Sequence, residues 1–330
     1  MNDDSPKMKL LFGLLHAPAE KTPLADSYSK LQADLVRTNR AVGRGEFGSA
    51  VNFYKSFPRY SPLFLPAAGV TLIDAVGRGD VLLFEQILTE VKTYPMLTSV
   101  ETAQLATELF DIWMKQQLMV RGECPQWLNE CDLREIPSAW HSWAVSLATV
   151  RLVERGEFIA ARTLSSILLS HVSSTIAFGS AMDVNLKLIL ADTYRDEGKT
   201  TVAADWYRKA VLSARVHGYV LPFLAQPMGP KSALGLAIRE LAPEFLPVIR
   251  RRAPDFFRNL IRFHNRLTGE SMTDLLTPRE FYVATALTKG FKYKEIAERL
   301  GIAYCRVNDL ITTIHDKLNI HGSGELKSFV

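Results

Sequence analysis

The chain has 330 residues, of which 47% are hydrophobic and 22% charged, and its formal net charge is +4 at pH 7. At roughly 150 residues per domain, this length predicts about two domains, each large enough to bury a core. The composition excludes a disordered or collagen-like chain. Three cysteines are too few for a disulfide framework, which favours a reducing cytoplasm. The weak positive charge permits a nucleic-acid partner without requiring one.

Two apolar segments resemble export or membrane signals but lack the features that such signals require. Leu10–Leu15 follows Asp3 and Asp4 rather than a basic stretch, so we expect an amphipathic first helix instead of a signal peptide. The uncharged run 163–182 holds six serines and two threonines, which make it too polar for a membrane span. We expect two helices there, joined near Ser173–Ser174, and a cytoplasmic protein with no membrane contact.

The first 235 residues carry a helical pattern with repeated glycine turns. Apolar residues recur every three or four positions, which predicts helices. A period near 34 residues is typical of tandem helical hairpins such as tetratricopeptide repeats, in which glycine ends the first helix in a left-handed conformation. The turn glycines, spaced by 34, 43, 34 and 42 residues, are Gly45, Gly79, Gly122, Gly156 and Gly198.

One unit resembles the tetratricopeptide consensus at every marker position. Five residues after the glycine, this unit and two others have alanine, a side chain small enough for the second helix to pack closely (Ala50, Ala161 and Ala203). Stacked hairpins form a curved array whose inner surface binds a peptide or an effector. The alternative is a generic helical bundle whose loops contain glycine. The markers of the best unit are Leu190, Ala191, Tyr194, Gly198, Ala203, Tyr207 and Ala210.

A basic amphipathic helix follows the array. Its apolar residues recur with helical spacing at Phe256, Leu260, Phe263 and Leu267. The opposite face is rich in arginine, which favours either a solvated surface or a contact with DNA. The arginines are Arg250, Arg251, Arg252, Arg258, Arg262 and Arg266.

The last 55 residues predict a helix-turn-helix. Thr277, Pro278 and Glu280 form the pattern of a capping box with proline at the first helical position, and Gly290 ends that helix. A second helix over 294–300 is followed by a turn at Gly301 and a third helix over about 304–317. The inward positions of the third helix are Val307, Leu310 (or Ile311), Ile314 and Leu318.

This segment resembles the LuxR-type (GerE) DNA-binding domain. The chain departs from the family where Lys292 and Ala303 replace serines that usually cap the second and third helices. A lost cap costs about 1 kcal/mol, so we expect a less rigid domain. The matching residues are Leu276–Glu280, Gly290, Lys294–Ala297, Leu300–Ile302, Val307, Lys317–Leu318 and Glu325–Leu326.

The resemblance implies which side chains meet DNA. Asn308 and Thr312 would read adenine and a thymine methyl, whereas Asp309 is repelled by phosphates unless it accepts a hydrogen bond from cytosine. Basic side chains would contact phosphates, which supply affinity rather than sequence choice. The candidate DNA-binding residues are Lys292, Lys294, Tyr304, Arg306, Asn308, Asp309, Thr312 and Lys317; Arg279 is a further candidate phosphate contact.

The order of helical array, Gly218–Leu224 segment, helix and LuxR-type domain is similar to the carboxy-terminal half of the MalT-like bacterial regulators. In that family the array senses an effector and an upstream ATPase domain drives assembly. We expect no such ATPase portion in this chain, so no ATP chemistry is carried over from the family. We therefore predict an all-α protein with a tetratricopeptide-like sensor domain over 1–235, a basic connector over 236–270 and a four-helix LuxR-type domain over 271–330.

No pattern of residues predicts an enzyme, a cofactor or a metal site. Gly198–Thr200 looks like the end of a phosphate loop, but Thr193 stands where that loop needs glycine. Cys124, Cys131 and His141 are too irregularly spaced for zinc. We expect none of the three.

These patterns predict a DNA-binding transcription regulator that acts as a homodimer on double-stranded DNA. A small molecule or a protein would act as effector on the repeat surface. The alternative is a protein-interaction scaffold whose helix-turn-helix no longer binds DNA. Asp309, the two missing caps and a net charge of only +2 over 276–330 (8 Lys and Arg against 6 Asp and Glu) favour that alternative.

Overall fold

The computed structural model describes residues 23–61, 63–97, 102–120, 124–134, 136–137, 140–172, 179–226, 232–269, 276–318, 320, 322, 324 and 326. All regular secondary structure in these residues is helical, as the sequence predicts. The residues of the expected first helix, Leu10–Leu15, and the junction near Ser173–Ser174 lie outside the described residues.

The helices fall into two sets. The first ten are α1 (Pro23–Gly43), α2 (Ala50–Ser56), α3 (Phe64–Arg78), α4 (Val81–Leu97), α5 (Ala103–Gln117), α6 (Gln126–Glu130), α7 (His141–Glu154), α8 (Phe158–Val172), α9 (Gly179–Asp196) and α10 (Thr200–His217). The rest are α11 (Leu221–Leu224), α12 (Ala233–Leu241), α13 (Phe245–Thr268), α14 (Pro278–Thr288), α15 (Tyr293–Leu300) and α16 (Tyr304–Leu318).

Glycine turns join the helices of four pairs: α1 and α2, α3 and α4, α7 and α8, and α9 and α10. Gly45, Gly79, Gly156 and Gly198 all have left-handed backbone, with φ of +74°, +72°, +77° and +77°. The left-handed prediction is therefore confirmed at these four turns, and Gly122 lies outside the described residues. Such a φ strains any residue with a Cβ, which is why glycine stands at these positions.

The alanines that follow these turns are buried. Ala50, Ala161 and Ala203 are at most 1% exposed, and Phe84 occupies the corresponding place after Gly79. From α7 to α10 each helix packs against the next one in the chain. Arg162 of α8 also forms an ion pair of 2.7 Å with Glu197, the residue that follows α9. Sequential packing of this kind supports helical hairpins; the tetratricopeptide-like arrangement itself stays a prediction.

The first helix contacts the segment that follows the last pair. Asn39 Nδ2 donates to Tyr219 Oη over 2.9 Å, and the Val220 N–H donates to the Gly43 carbonyl over 2.8 Å. A Cβ at Gly43 would lie 2.5 Å from the Tyr219 ring. Only glycine permits this approach, so α1 is held directly against the end of the array.

Helix α13 has two apolar faces, of which the sequence predicts one. Phe256, Leu260 and Phe263 are buried in the main core, and the Phe263 ring lies 4.5 Å from that of Phe84. Phe257 and Ile261 instead belong to the core of the carboxy-terminal helices. This helix therefore packs against both parts of the chain.

Half of the arginines on α13 make contacts within the protein. Arg266 forms an ion pair with Glu85, Arg258 with Asp255 at 3.0 Å, and the Arg252 guanidinium lies 5.8 Å from the centre of the Phe47 ring. The remaining three are exposed: Arg250, Arg251 and Arg262.

Within the described ranges, no helix has the length and apolar character that crossing a membrane requires. The same ranges hold no group of three or more His, Cys, Asp or Glu side chains placed to bind a metal ion.

Candidate nucleic-acid interface

Helix α14 begins at the predicted capping box. The Thr277 N–H donates to the Glu280 carboxylate over 2.6 Å, and the Glu280 N–H donates to the Thr277 hydroxyl over 3.4 Å. Pro278 occupies the first helical position, where a missing N–H leaves no bond unmade. The helix ends before Gly290, whose φ is +84°. The predicted start and stop of this helix are therefore confirmed.

The start of α15 has a capping hydrogen bond that the sequence analysis does not predict. Lys292 has no side-chain acceptor for the helix N-terminus, as expected. Its own N–H, however, donates to the Glu295 carboxylate over 2.7 Å. This is one half of a capping box, so the loss of the family's serine is partly offset.

The turn between α15 and α16 and the inner face of α16 follow the sequence prediction. Gly301 takes the left-handed conformation with φ +61°. Val307, Ile311 and Ile314 are buried, and Leu310 is only partly buried, which settles the choice between Leu310 and Ile311. The Leu318 side chain lies outside the described part. A fourth helix of the domain would fall beyond Leu318, where few residues are described.

The outer face of α16 is exposed. Asn308, Asp309 and Thr312 all face solvent. The Thr312 hydroxyl donates to the Asn308 carbonyl over 3.0 Å, so its methyl group and lone pairs remain available. Among the described residues, the Asn308 side-chain amide has no hydrogen-bond partner. This face therefore presents an amide, a hydroxyl and a carboxylate that can read base edges.

Asp309, the carboxylate on this face, forms an ion pair with Arg306. Arg306 Nη1 lies 3.3 Å from Asp309 Oδ2, and both side chains are more than half exposed. An exposed pair of this kind contributes little to stability. It does place a carboxylate beside the arginine that the sequence assigns to a DNA phosphate.

The basic candidates lie around the ends of α15 and α16. Lys292 and Lys294 are exposed at the start of α15. Tyr304, at the start of α16, is 53% exposed, with its ring centre 6.2 Å from that of Tyr293. Lys317 is in the last turn of α16, and its side chain lies outside the described part. Lys292 and Lys294 therefore flank the residue, Tyr293, whose ring meets that of Tyr304 at the start of α16.

Three comparisons with known proteins bear on this geometry. The family described as bacterial regulatory proteins, luxR family (GerE), matches residues 274–330. Residues 274–330 are a LuxR-family helix-turn-helix domain. No curated protein and no solved structure matches the chain. In a helix-turn-helix the first helix of the motif is the supporting helix and the second the recognition helix, and α15 and α16 occupy these two places in the chain.

A contact that the sequence does not reveal ties the LuxR-family domain to the last helix pair. Arg299 of α15 forms an ion pair with Asp196 at the end of α9, and these side chains are only 11% and 4% exposed. The Arg299 guanidinium also lies 3.5 Å from the centre of the Phe291 ring. Burial raises the pKa of the Asp196 carboxyl, and the guanidiniums of Arg195 and Arg299 oppose that shift.

A second contact joins the domain to α13. The Phe257 and Phe281 rings meet edge to face at 6.2 Å, and His264 packs edge-on against Phe281 at 6.1 Å. His264 Nδ1 is also 2.8 Å from the Leu118 carbonyl oxygen. The domain is therefore held against the helical region on two sides, while the outer face of α16 stays open.

Proposed function

We propose that the protein is a transcription regulator that binds promoter DNA through α16 and takes up an effector or a partner through its helical array. The observation that carries this proposal is the exposed outer face of α16 within a domain that matches the LuxR family. Asn308 and Thr312 supply base contacts there. Lys292 and Lys294 supply phosphate contacts at the start of the supporting helix.

The charge of the domain favours a homodimer on DNA. The net charge over 276–330 is only +2, so one copy neutralises few phosphates. Two copies on a two-fold symmetric site double that number and double the base contacts. No covalent chemistry is involved. The effector acts by binding one arrangement of the chain more tightly than another.

The test is selection of genomic fragments by the purified full-length protein at a low and a high salt concentration. We expect a recurring, two-fold symmetric motif that survives the higher salt. A variant with Asn308→Ala and Thr312→Ala should bind DNA but fail to recover the motif. Loss of all binding in that variant, or recovery of the same motif, would contradict the assignment of α16 as the reading helix.

The second candidate is a protein-interaction scaffold without DNA binding. The observation in its favour is the Arg306–Asp309 ion pair, which uses a phosphate-contacting candidate and puts a carboxylate on the reading face. Weak binding that the higher salt removes, with no recurring motif, would favour the scaffold over the regulator.

A further inference from the structure

A cavity lies at the boundary between the LuxR-family domain and the last helix pair. Its volume is about 210 Å³, and it is enclosed by residues of α9, α10 and α12 on one side and of α14 and α15 on the other. A space of this size accommodates a small metabolite. A ligand here would touch both parts of the chain.

One wall of the cavity is a satisfied polar network. Tyr207 Oη donates to Asp192 Oδ1 over 2.5 Å, and Arg195 Nη1 lies 2.7 Å from the same oxygen. These groups hold α9 against α10. They give the cavity a fixed polar surface, but their main hydrogen-bonding capacity is already used.

Three further polar side chains of the cavity have no hydrogen-bond partner among the described residues. Glu298 of α15, Tyr282 of α14 and Gln226 line it, and in the part of the chain that the structure describes their side chains make no hydrogen bond or ion pair. A carboxylate, a phenol and an amide from three different segments thus line one cavity, and they make no hydrogen bonds to one another. Glu298 is exposed and the other two are partly buried, so all three are open to a bound molecule. A few convergent polar groups at one concave site are the usual arrangement of a ligand pocket.

The charges of the wall define the chemistry of that ligand. The carboxylate of Glu298 selects a cationic group such as an ammonium. Arg299, next to it in the chain, has five N–H donors, so beside its ion pair with Asp196 it can also bind a carboxylate. Both charges line the same small space. We propose that the cavity binds a small zwitterionic metabolite of the amino-acid class, with its ammonium on Glu298 and its carboxylate on Arg299.

The ligand of this cavity would be the effector of the regulator. This regulatory role rests on the proposed function. Glu298 and Arg299 belong to the supporting helix of the LuxR-family domain, whereas Asp192 and Tyr207 belong to the helical array. A bound ligand therefore bridges the two and stabilises their docked arrangement. Any arrangement that separates them loses the site, so the ligand biases how the domain is presented to DNA.

The test uses the full-length protein without DNA, so that it does not depend on the proposed function. Each standard L-amino acid is added separately at millimolar concentration, and thermal unfolding and titration calorimetry are recorded. At least one should raise the unfolding midpoint by a few degrees and bind with a measurable Kd. The matching amine without a carboxylate and the matching acid without an amine should bind at least tenfold more weakly.

Variants then locate the binding. Glu298→Gln removes an exposed charge and should weaken binding about tenfold or more, because a charge-assisted hydrogen bond is lost. Asp205→Asn removes an exposed carboxylate of α10 outside the cavity and should leave the Kd unchanged. If no standard amino acid binds, or if Glu298→Gln binds the ligand as tightly as the parent chain, the proposal is wrong.

A final measurement separates the site from its regulatory role. The Kd for the selected DNA motif is determined with and without the ligand, and a change of about fivefold or more is expected. Ligand binding with an unchanged DNA affinity would overturn the regulatory role and leave the site. Ligand binding by a chain that selects no DNA motif would overturn the proposed function instead.

Discussion

Arg299 and Asp196 form a buried ion pair between the LuxR-family domain and the last pair of helices that precedes it, α9 and α10. The two residues are far apart in the chain, and each ends or nearly ends its helix. Phe291 covers one face of the guanidinium, so the pair is shielded from water. Shielding strengthens the attraction between the charges and makes the loss of either one costly.

Replacing Arg299 by Gln should therefore destabilise the protein. The change leaves Asp196 with Arg195 as its remaining cation, in a place where an ionised carboxylate is poorly solvated. We expect the free energy of unfolding to fall by about 3 kcal/mol in urea titrations. Arg258→Gln breaks an exposed Arg–Asp pair on α13 and should cost less than about 1 kcal/mol. Equal losses in the two variants would show that the Arg299 contact is not a buried one.

The sequence predicts the local features of the DNA-binding domain better than its surroundings. Thr277, Glu280, Gly290 and Gly301 act within a few residues of themselves, so their spacing predicts caps, stops and the turn. Arg299 has no such local signature. Periodicity indicates that a position is polar or apolar, but it does not indicate which distant helix a charged side chain will meet. For the same reason, the sequence does not predict the cavity that Arg299 lines.

The capping box of α14 gives a prediction that is independent of DNA. Thr277→Ala removes the hydroxyl that accepts the Glu280 N–H and should cost about 1 kcal/mol, seen as a fall of a few degrees in the unfolding midpoint. Thr277→Ser keeps the hydroxyl and should stay within a few tenths of a kcal/mol of the parent. A serine variant as unstable as the alanine variant would contradict a capping role.

Stability in acid should depend on Glu197. Hydrogen bonds from Arg162 and Lys199 hold the pKa of this carboxyl below its ordinary value of 4.5. A lowered pKa means that the folded state binds the proton less readily than the unfolded state. The stabilisation is therefore fully present above pH 4.5 and is lost as the pH falls below it, through the pKa of the folded state.

Glu197→Gln tests this dependence. The variant should be less stable than the parent chain at pH 7, and the difference should shrink as the pH is lowered through this range. Unfolding midpoints measured at several pH values between neutral and acid give the comparison. Glu240→Gln, which breaks an exposed pair with Arg208, is the matched control and should change stability less at neutral pH. A difference for Glu197→Gln that does not vary with pH would contradict the argument.

On the candidate interface, the sequence predicts which residues of α16 face outward but not how they pair. The exposure of Asn308, Asp309 and Thr312 follows from helical periodicity once Val307, Ile311 and Ile314 are buried. The pairing of Arg306 with Asp309 depends on side-chain rotamers, which a pattern does not specify. The spacing of three residues is nevertheless a signal that an ion pair is possible.

Two substitutions should separate affinity from sequence choice. Lys294→Ala removes an exposed charge at the supporting helix and should weaken binding to all DNA about equally, lowering the slope of log K against log salt by about 1. Asn308→Ala should change sequence preference at one base position, at a cost of about 1–3 kcal/mol on the preferred motif. Binding to motif and random duplexes at several salt concentrations provides both quantities. An equal loss on every sequence for both variants would refute the division of roles.

We expect Asp309 to weaken the interaction of the outer face of α16 with DNA phosphates. Asp309→Asn removes a negative charge from the outer face of α16 and frees Arg306 from its pair. Binding to random duplex DNA should become tighter and its salt slope steeper by about 1, because one more cation meets the backbone. If Asp309 also accepts a hydrogen bond from a cytosine amino group, the variant loses its preference for cytosine at that position.

The matched control for this prediction is Asp255→Asn on α13. It disrupts an exposed Arg–Asp pair of the same spacing, with Arg258, away from the recognition helix. It should leave the affinity for random DNA and the salt slope unchanged. If Asp309→Asn binds random and selected DNA as the parent chain does, α16 does not face DNA. The scaffold would then explain the exposed helix better than the regulator.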